Sequence, residues 1–293
     1  MKSKTPAAQE AMAGYLFLTP NLIGFLVFFV FPVLGSLWVS FNDWNLLTPP
    51  AFIGAKNYQT LLTDNLFWQT LWNTFYFSVC SVPLSIGLSL VLAIFLNQKI
   101  HGINFFRAAF FLPTICSVVS IALIWQWLFD FQTGLINHVL SFIKLGPFPW
   151  INSPAWAMPS VIMVAVWRNI GLNMVIFLAG LQGVPAEMYE AAKIDGANAW
   201  KMFWNVTWPM VSPTTFFVTV TSMINSFQVF DVTTVMTNGG PANATNTLVM
   251  LIYQHAFQFF RMGYASGIAY ILFGIVLILT IVQTVSSKRW VHY

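Results

Sequence analysis

Few side chains in this chain have chemistry to offer, and two groups of them fall in apolar tracts. Ser222, Asn225, Ser226 and Val229 follow i, i+3, i+4, i+7 spacing, so three hydrogen-bonding groups share one face of a helix. Arg168 stands near the middle of a second tract, with Asn169 and Asn173 one turn apart beside it; Gln228 and Asp231 follow the serine cluster. A charge at the centre of a bilayer-crossing helix costs about 2.5–3.5 kcal/mol on insertion scales. Arg168 should therefore face a partner helix or a wet cavity, and the Ser–Asn face should avoid lipid. This is hydrogen-bonding chemistry and not bond breaking. No GxxxxGK[ST] phosphate cradle, HExxH pair or GxSxG elbow occurs, so the chain should not hydrolyse nucleotide by itself. Glu10, Asp43, Asp64, Asp130, Glu187, Glu190, Asp195 and Asp231 all lie at tract ends or in loops, which argues against a proton relay. Cys80 and Cys116 carry no metal or disulfide signature, and His101, His138, His255 and His292 have no ligand spacing.

The elements that must position these groups are dictated by composition. With 58% hydrophobic and 7% charged residues over 293 positions, and a mean hydropathy of +0.73, the chain is expected to be an all-α integral membrane protein. Charges are so sparse that they mark span ends: 11–42, 65–98, 108–129, 202–230 and 262–287 contain none. Each exceeds the roughly 20 residues a helix needs to cross about 30 Å of hydrocarbon. With the tract around Arg168, six transmembrane helices are expected, at about 14–41, 68–97, 107–130, 158–182, 209–232 and 263–286. They form one transmembrane domain, 11–293, after a tail at 1–10. The first span lacks a small-residue cleavage pattern and should remain as an anchor. Within the loop 233–262, Asn238-Gly239-Gly240-Pro241 and the polar run 243–247 break the apolar tract. Residues 248–260 are too few to cross and read as a surface or re-entrant helix. Gly263 and Gly267 form a GxxxG suited to close helix packing. Tryptophans at the span borders, such as Trp38, Trp44, Trp68, Trp72, Trp150 and Trp156, form an interfacial belt or, for some of them, a surface on which a sugar could stack.

Six spans put both termini on one side. If that side is cytoplasmic, Lys2, Lys4, Lys99, Arg107, Lys193, Lys201, Lys288 and Arg289 lie inside, against Lys56, Lys144 and Arg261 outside, as the positive-inside rule prefers. The net charge of +4 reflects this asymmetry and gives no reason to expect a nucleic-acid partner. The loop 183–208 then faces the cytoplasm. In it Pro185 suits a first helical turn, Glu187 and Glu190 face the positive end of the helix dipole, and Gly196 is a natural stop. A helix of about 11 residues, roughly 16 Å long, follows. Ala191 and Ala192 allow close approach, and Trp200, Phe203 and Trp204 could brace it from a second short helix. Such a segment is either a plain connector or a surface that receives force from a soluble partner.

Glu190-Ala191-Ala192, Gly196 three residues on, then Val206, Trp208 and Pro209 match the EAA signature, with Trp208 where leucine is usual. The chain resembles the permease subunit of a binding-protein-dependent ABC importer. The run 185–197 is similar to the carbohydrate-uptake branch of that family. Thr19-Pro20, Phe31-Pro32, Trp167-Arg168 with Gly171, Phe230-Asp231 and the Gly-Gly-Pro loop resemble the larger membrane subunit of the maltose importer. The connection 43–64 leaves no room for that subunit's periplasmic domain.

The resemblance implies a type I ABC importer permease fold with a cytoplasmic coupling helix, in a bacterial inner membrane. The implied partners are a second homologous permease subunit, an ATPase dimer that binds ATP and Mg, an extracytoplasmic solute-binding protein, and a sugar or sugar-like solute. It assigns Glu187, Glu190, Ala191, Ala192, Asp195 and Gly196 to ATPase coupling, and Gly239, Gly240 and Pro241 to contact with the binding protein. Arg168, Asn169, Asn173, Ser222, Asn225, Ser226 and Gln228 would line the substrate path as hydroxyl-binding groups. The alternative for this cluster is interhelical hydrogen bonding, with Arg168 as a gate or subunit contact. The rival for the whole chain is a secondary carrier or channel that works without an ATPase.

Overall fold

The computed structural model describes residues 6–98 and 101–291. Lys2, Lys4, Lys99 and His292, used above for orientation and ligand spacing, lie outside the described residues. Among the described residues the regular structure is helical apart from one pair of two-residue strands. Its elements run α1 (Pro6–Phe25), a π-helical turn (Leu26–Val30), α2 (Phe31–Ser40), β1 (Asn42–Asp43), β2 (Ala51–Phe52), α3 (Lys56–Thr63) and α4 (Asn65–Leu96). Next come α5 (Ile103–Ile115), α6 (Val118–Leu128), α7 (Leu135–Phe142), α8 (Pro154–Gln182), α9 (Ala186–Ile194) and α10 (Ala199–Met202). A second π-helical turn (Phe203–Thr207) leads to α11 (Trp208–Met210), α12 (Ser212–Phe227) and α13 (Asp231–Thr237). The chain closes with α14 (Leu248–Tyr253), a third π-helical turn (Gln254–Gln258) and α15 (Met262–Ser287). Contacts divide the chain into two compact units: one ends at Thr63 and takes in Ile252–Tyr270, and the other combines Asp64–Leu251 with the residues from Ile271 on.

In the first unit, the stretch Met12–Ser40 is apolar enough to cross a membrane, and its most apolar window has no residue buried by the chain itself. Pro32 has no N–H to give the preceding turn, and the π-helical turn Leu26–Val30 absorbs the irregularity. After α2, β1 pairs antiparallel with β2, Asn42 opposite Phe52 and Asp43 opposite Ala51. Asn57 of α3 ties these pieces together, donating to Ser40 O at 2.8 Å and Asn42 O at 3.0 Å. The GxxxG does pack closely: a Cβ on Gly263 would collide with Asn42 O, and one on Gly267 would come within 3.2 Å of Leu61.

In the second unit, α4 and α8 form the central pair. Asp64 caps α4, accepting from Leu66 N at 2.8 Å. A stripe of small hydroxyl residues, Thr70, Thr74, Ser78, Ser81, Ser85 and Ser89, is buried along α4. Several of these hydroxyls return to their own helix, such as Thr74 to Thr70 O at 2.8 Å and Ser78 to Thr74 O at 2.9 Å, while Ser89 reaches Ile170 O of α8 at 3.1 Å. Short side chains with satisfied hydroxyls let helices approach closely in an apolar surrounding. Gly171 serves the same purpose toward α5, since a Cβ there would strike Phe110 O and Thr114.

Three expected features differ. The third span, expected at 107–130, is a broken pair, α5 and α6, bent by 98° at Cys116 and Ser117. Both residues have extended ψ values, and Pro113 lies in the last turn of α5. Cys116 is therefore exposed at a kink and not packed within a span. The expected span 209–232 is also assembled from pieces: Pro209 and Pro213 withhold N–H groups at its start, α12 ends at Phe227, and a separate α13 follows. Among the described residues, four helices are long and apolar enough to cross a membrane, or five if α5 and α6 count as one.

Candidate functional site

Two apolar clusters in the second unit are separated along each central helix by polar residues. The first uses Phe77 of α4, Met158 to Val166 of α8, and Val229 to Met236. The other uses Leu90 and Ala93 of α4, Met174 to Leu181 of α8, and Val218 of α12. Between them on the same helices lie Ser81 and Ser85, Arg168 to Asn173, and Thr221 to Ser226, around a cavity of ≈ 500 Å³. All seven residues expected in the path, Arg168, Asn169, Asn173, Ser222, Asn225, Ser226 and Gln228, line it. So does Asp231 at the start of α13.

The geometry explains how they converge. Asn173 is buried and donates through Nδ2 to Ser85 Oγ at 3.0 Å and Ser222 Oγ at 3.4 Å, linking α8 to α4 and α12. Thr114 of α5 donates to Arg168 O at 3.2 Å, fixing the backbone beneath the guanidinium. Arg168 Nε is buried without a hydrogen-bond partner among the described residues. A buried donor left unpaired costs roughly 1–3 kcal/mol, more for a charged group, so this atom calls for an acceptor from outside the chain. Ser226 hydrogen-bonds its own helix at Met223 O, 2.8 Å away, while Asn225 and Gln228 are exposed. The cavity thus offers hydroxyls, carboxamides, the Arg168 cation and the Asp231 carboxylate. Ser81, Ser85 and Thr114 also line it. Sequence reasoning missed these, although Ser78, Ser81, Ser85 and Ser89 recur with helical spacing on α4.

The expected helix after Pro185 is α9, with Pro185 at its N-cap, Glu187 in the first turn and Lys193 in the last. Gly196, at φ +75°, closes it: Ala197 N donates to Ala192 O at 2.9 Å and Gly196 N to Lys193 O at 3.0 Å. That pair is a Schellman cap, which needs the left-handed residue glycine supplies. Glu187, Glu190, Ala191, Asp195 and Gly196 are exposed and Ala192 is half-buried. Tyr189 and Ala192 pack on the second apolar cluster with Phe203 and Trp208, and Tyr189 Oη lies 3.3 Å from Thr207 Oγ1. Of the bracing residues expected, Phe203 packs there; Trp200 and Trp204 are exposed and meet edge to face, and Trp204 also contacts Phe203 and Trp208.

The segment around Gly239, Gly240 and Pro241 is folded on itself. Thr245 Oγ1 donates to Gly240 O at 2.8 Å and lies 2.6 Å from Thr237 Oγ1. Asn73 of α4 donates to Asn243 O at 2.8 Å and Asn246 O at 2.9 Å, and Thr74 Oγ1 accepts from Leu248 N at 3.0 Å. Gly239, at φ +80°, is buried against Met250, while Gly240 and Pro241 are half-buried. The fully exposed residues here are Asn238, Ala242 and Asn243.

A polar layer thus lies between two apolar ones. The family described as binding-protein-dependent transport system inner membrane component matches residues 85–292, and the chain belongs to it. It is 36% identical over 298 residues to the probable ABC transporter permease protein YesP of Bacillus subtilis (strain 168), covering 100% of this chain and 96% of that one. It is also 36% identical over 282 residues to the lactose transport system permease protein LacF of Rhizobium radiobacter, covering 94% of each. Its fold is similar to that of a chain in the bacterial alginate ABC transporter solved with an alginate pentasaccharide-bound periplasmic protein, with a TM-score of 0.84 over 96% of each chain at 22% identity.

Proposed function

We propose that this chain is the permease subunit that forms half of the translocation path for a sugar or sugar-like solute in an ATP-driven importer. The observation that carries this is the convergence of all seven expected polar residues on one cavity between two apolar layers. Hydroxyls and carboxamides in a low-dielectric pocket suit a polyhydroxyl solute, since each can donate or accept as the solute passes. The sugar named for one relative and the oligosaccharide in the related transporter support that class.

In this reading six segments cross a bacterial inner membrane, the bent α5–α6 pair and the α11–α13 run each serving as one, with both termini cytoplasmic. A second permease subunit supplies the facing half of the path. α9 is the coupling helix: an ATPase dimer, which binds ATP and Mg, receives it in a cleft, with Glu187, Glu190, Ala191, Ala192, Asp195 and Gly196 at the contact. The segment carrying Gly239, Gly240 and Pro241 frames the surface on which an extracytoplasmic solute-binding protein lands, with its exposed neighbours making the touch.

Proteoliposomes containing this chain, its companion permease, the ATPase and the binding protein should take up sugar only with internal ATP. Omitting the ATPase should abolish uptake. Uptake by this polypeptide alone would establish a secondary carrier or channel instead. Cytoplasm-side labelling of cysteines introduced in 185–208 should succeed, and labelling only from the opposite face would overturn the topology.

A further inference from the structure

Asn173 is the only one of the seven path residues whose side chain bridges two other helices, and one of its two partners lies outside the assigned set. That partner, Ser85 of α4, is 4% exposed and lines the cavity. A carboxamide has two N–H donors and one oxygen with two lone pairs. Asn173 commits its nitrogen to Ser85 Oγ at 3.0 Å and Ser222 Oγ at 3.4 Å, and makes no other side-chain hydrogen bond among the described residues. Oδ1 is therefore the end of the side chain left for a ligand. Ser85 and Ser222 each accept from Asn173 and donate to nothing among the described residues, so their O–H groups also remain for the cavity.

The shorter bond is the one to Ser85. The terminal torsion of asparagine is broad and roughly two-fold, so packing alone holds it weakly. Removing the Ser85 hydroxyl would leave only the long bond to Ser222, and the oxygen would lose its fixed direction. The backbone here is already held: Ser89 donates to Ile170 O at 3.1 Å and Thr114 to Arg168 O at 3.2 Å. What remains adjustable is the side chain, and Ser85 sets it.

We infer that Ser85 is a positioning residue of the solute path: its hydroxyl holds the Asn173 carboxamide so that Oδ1 faces the cavity as an acceptor for a solute hydroxyl. This rests on the sugar-path reading above. It adds a third helix, α4, to the selection of solute, and it selects for a hydroxyl donor at one fixed place.

The test uses the complete importer in proteoliposomes with radiolabelled lactose, trehalose and arabinotriose. Ser85→Ala should lower the maximal uptake rate about fivefold, the scale of one lost hydrogen bond. The concentration of loaded binding protein giving half-maximal uptake should not move, because docking is remote from the cavity, and neither should basal ATPase activity. Ser85→Thr, which keeps the hydroxyl, should restore most of the rate. In an Asn173→Ala background, Ser85→Ala should cost nothing further. Ser78→Ala, on the same helix but outside the cavity, supplies the packing control. An unchanged rate in Ser85→Ala, a further fivefold loss in the double variant, or matching losses of rate and thermal stability in Ser78→Ala and Ser85→Ala would each overturn the positioning role. A wild-type importer that takes up none of the three sugars would overturn the sugar reading and this inference together.

Discussion

Two polar segments, 238–247 between α13 and α14 and 183–208 after α8, are built on opposite terms. The first is pinned by hydrogen bonds, several of them from α4. Its carbonyls at 240, 243 and 246 accept from Thr245 and Asn73, and its end is pinned when Leu248 N donates to Thr74. Thr247 then donates to Val229 O at 2.9 Å, tying it to a residue that lines the cavity. The second spends few bonds on the rest of the chain. α9 has no fully buried residue, and Ile194 is 87% exposed. A segment whose polar groups are already paired presents a preformed surface, with little ordering left to do when something lands on it. A capped helix that keeps apolar side chains in the open is shaped for burial against something else.

Substitutions can break this contrast from either side. The largest effect should come from Glu190→Lys and Gly196→Asp, each lowering ATP-dependent uptake at least about thirtyfold, the scale of a hot-spot contact. Expression should persist, and co-purification of the ATPase is the measurement that assigns the loss to docking. Next, Asn73→Ala should destabilise the chain by about 1–3 kcal/mol for each carbonyl it strands. Thermal unfolding would report the loss, and hydrogen exchange should rise across 238–247 while α9 is unaffected. Ile194→Ser should weaken ATPase association about tenfold with no change in thermal unfolding, because an exposed side chain supports nothing within the chain. Smallest, Asn225→Ala should shift relative uptake among sugars by about fivefold or less while the ATPase stays bound. Equal kinetics for every sugar would mean that Asn225 only packs.

Much of this was legible because charge and polarity are rare here. With 7% charged residues, a polar face in an apolar tract stands out, and Ser222, Asn225 and Ser226 could be placed before any coordinates. α9 was readable because its stop signals are local: Pro185 at one end and a glycine with positive φ at the other. The bend between α5 and α6 was not. Pro113 is compatible with a kink or a plain break, and which one forms depends on what α8 leaves room for near Gly171. Ser81 and Ser85 escaped notice because serine in a membrane helix usually bonds its own backbone, as Ser78 does here. Only the approach of α8 gives Ser85 a different partner. The interrupted run from α11 to α13 was hidden by uniform hydropathy, which records length and not continuity.

The clamp at Asn73 also sets a timetable. Its two acceptors lie 170 and 173 positions further along the chain, and the amide that Thr74 receives lies 174 further on. At roughly 5–20 residues per second, a ribosome needs about 10–35 s to make that interval. Until then α4 carries the Asn73 carboxamide without its two acceptors, a state that holdase chaperones or membrane proteases could recognise. A chain truncated before Leu248 would never leave it.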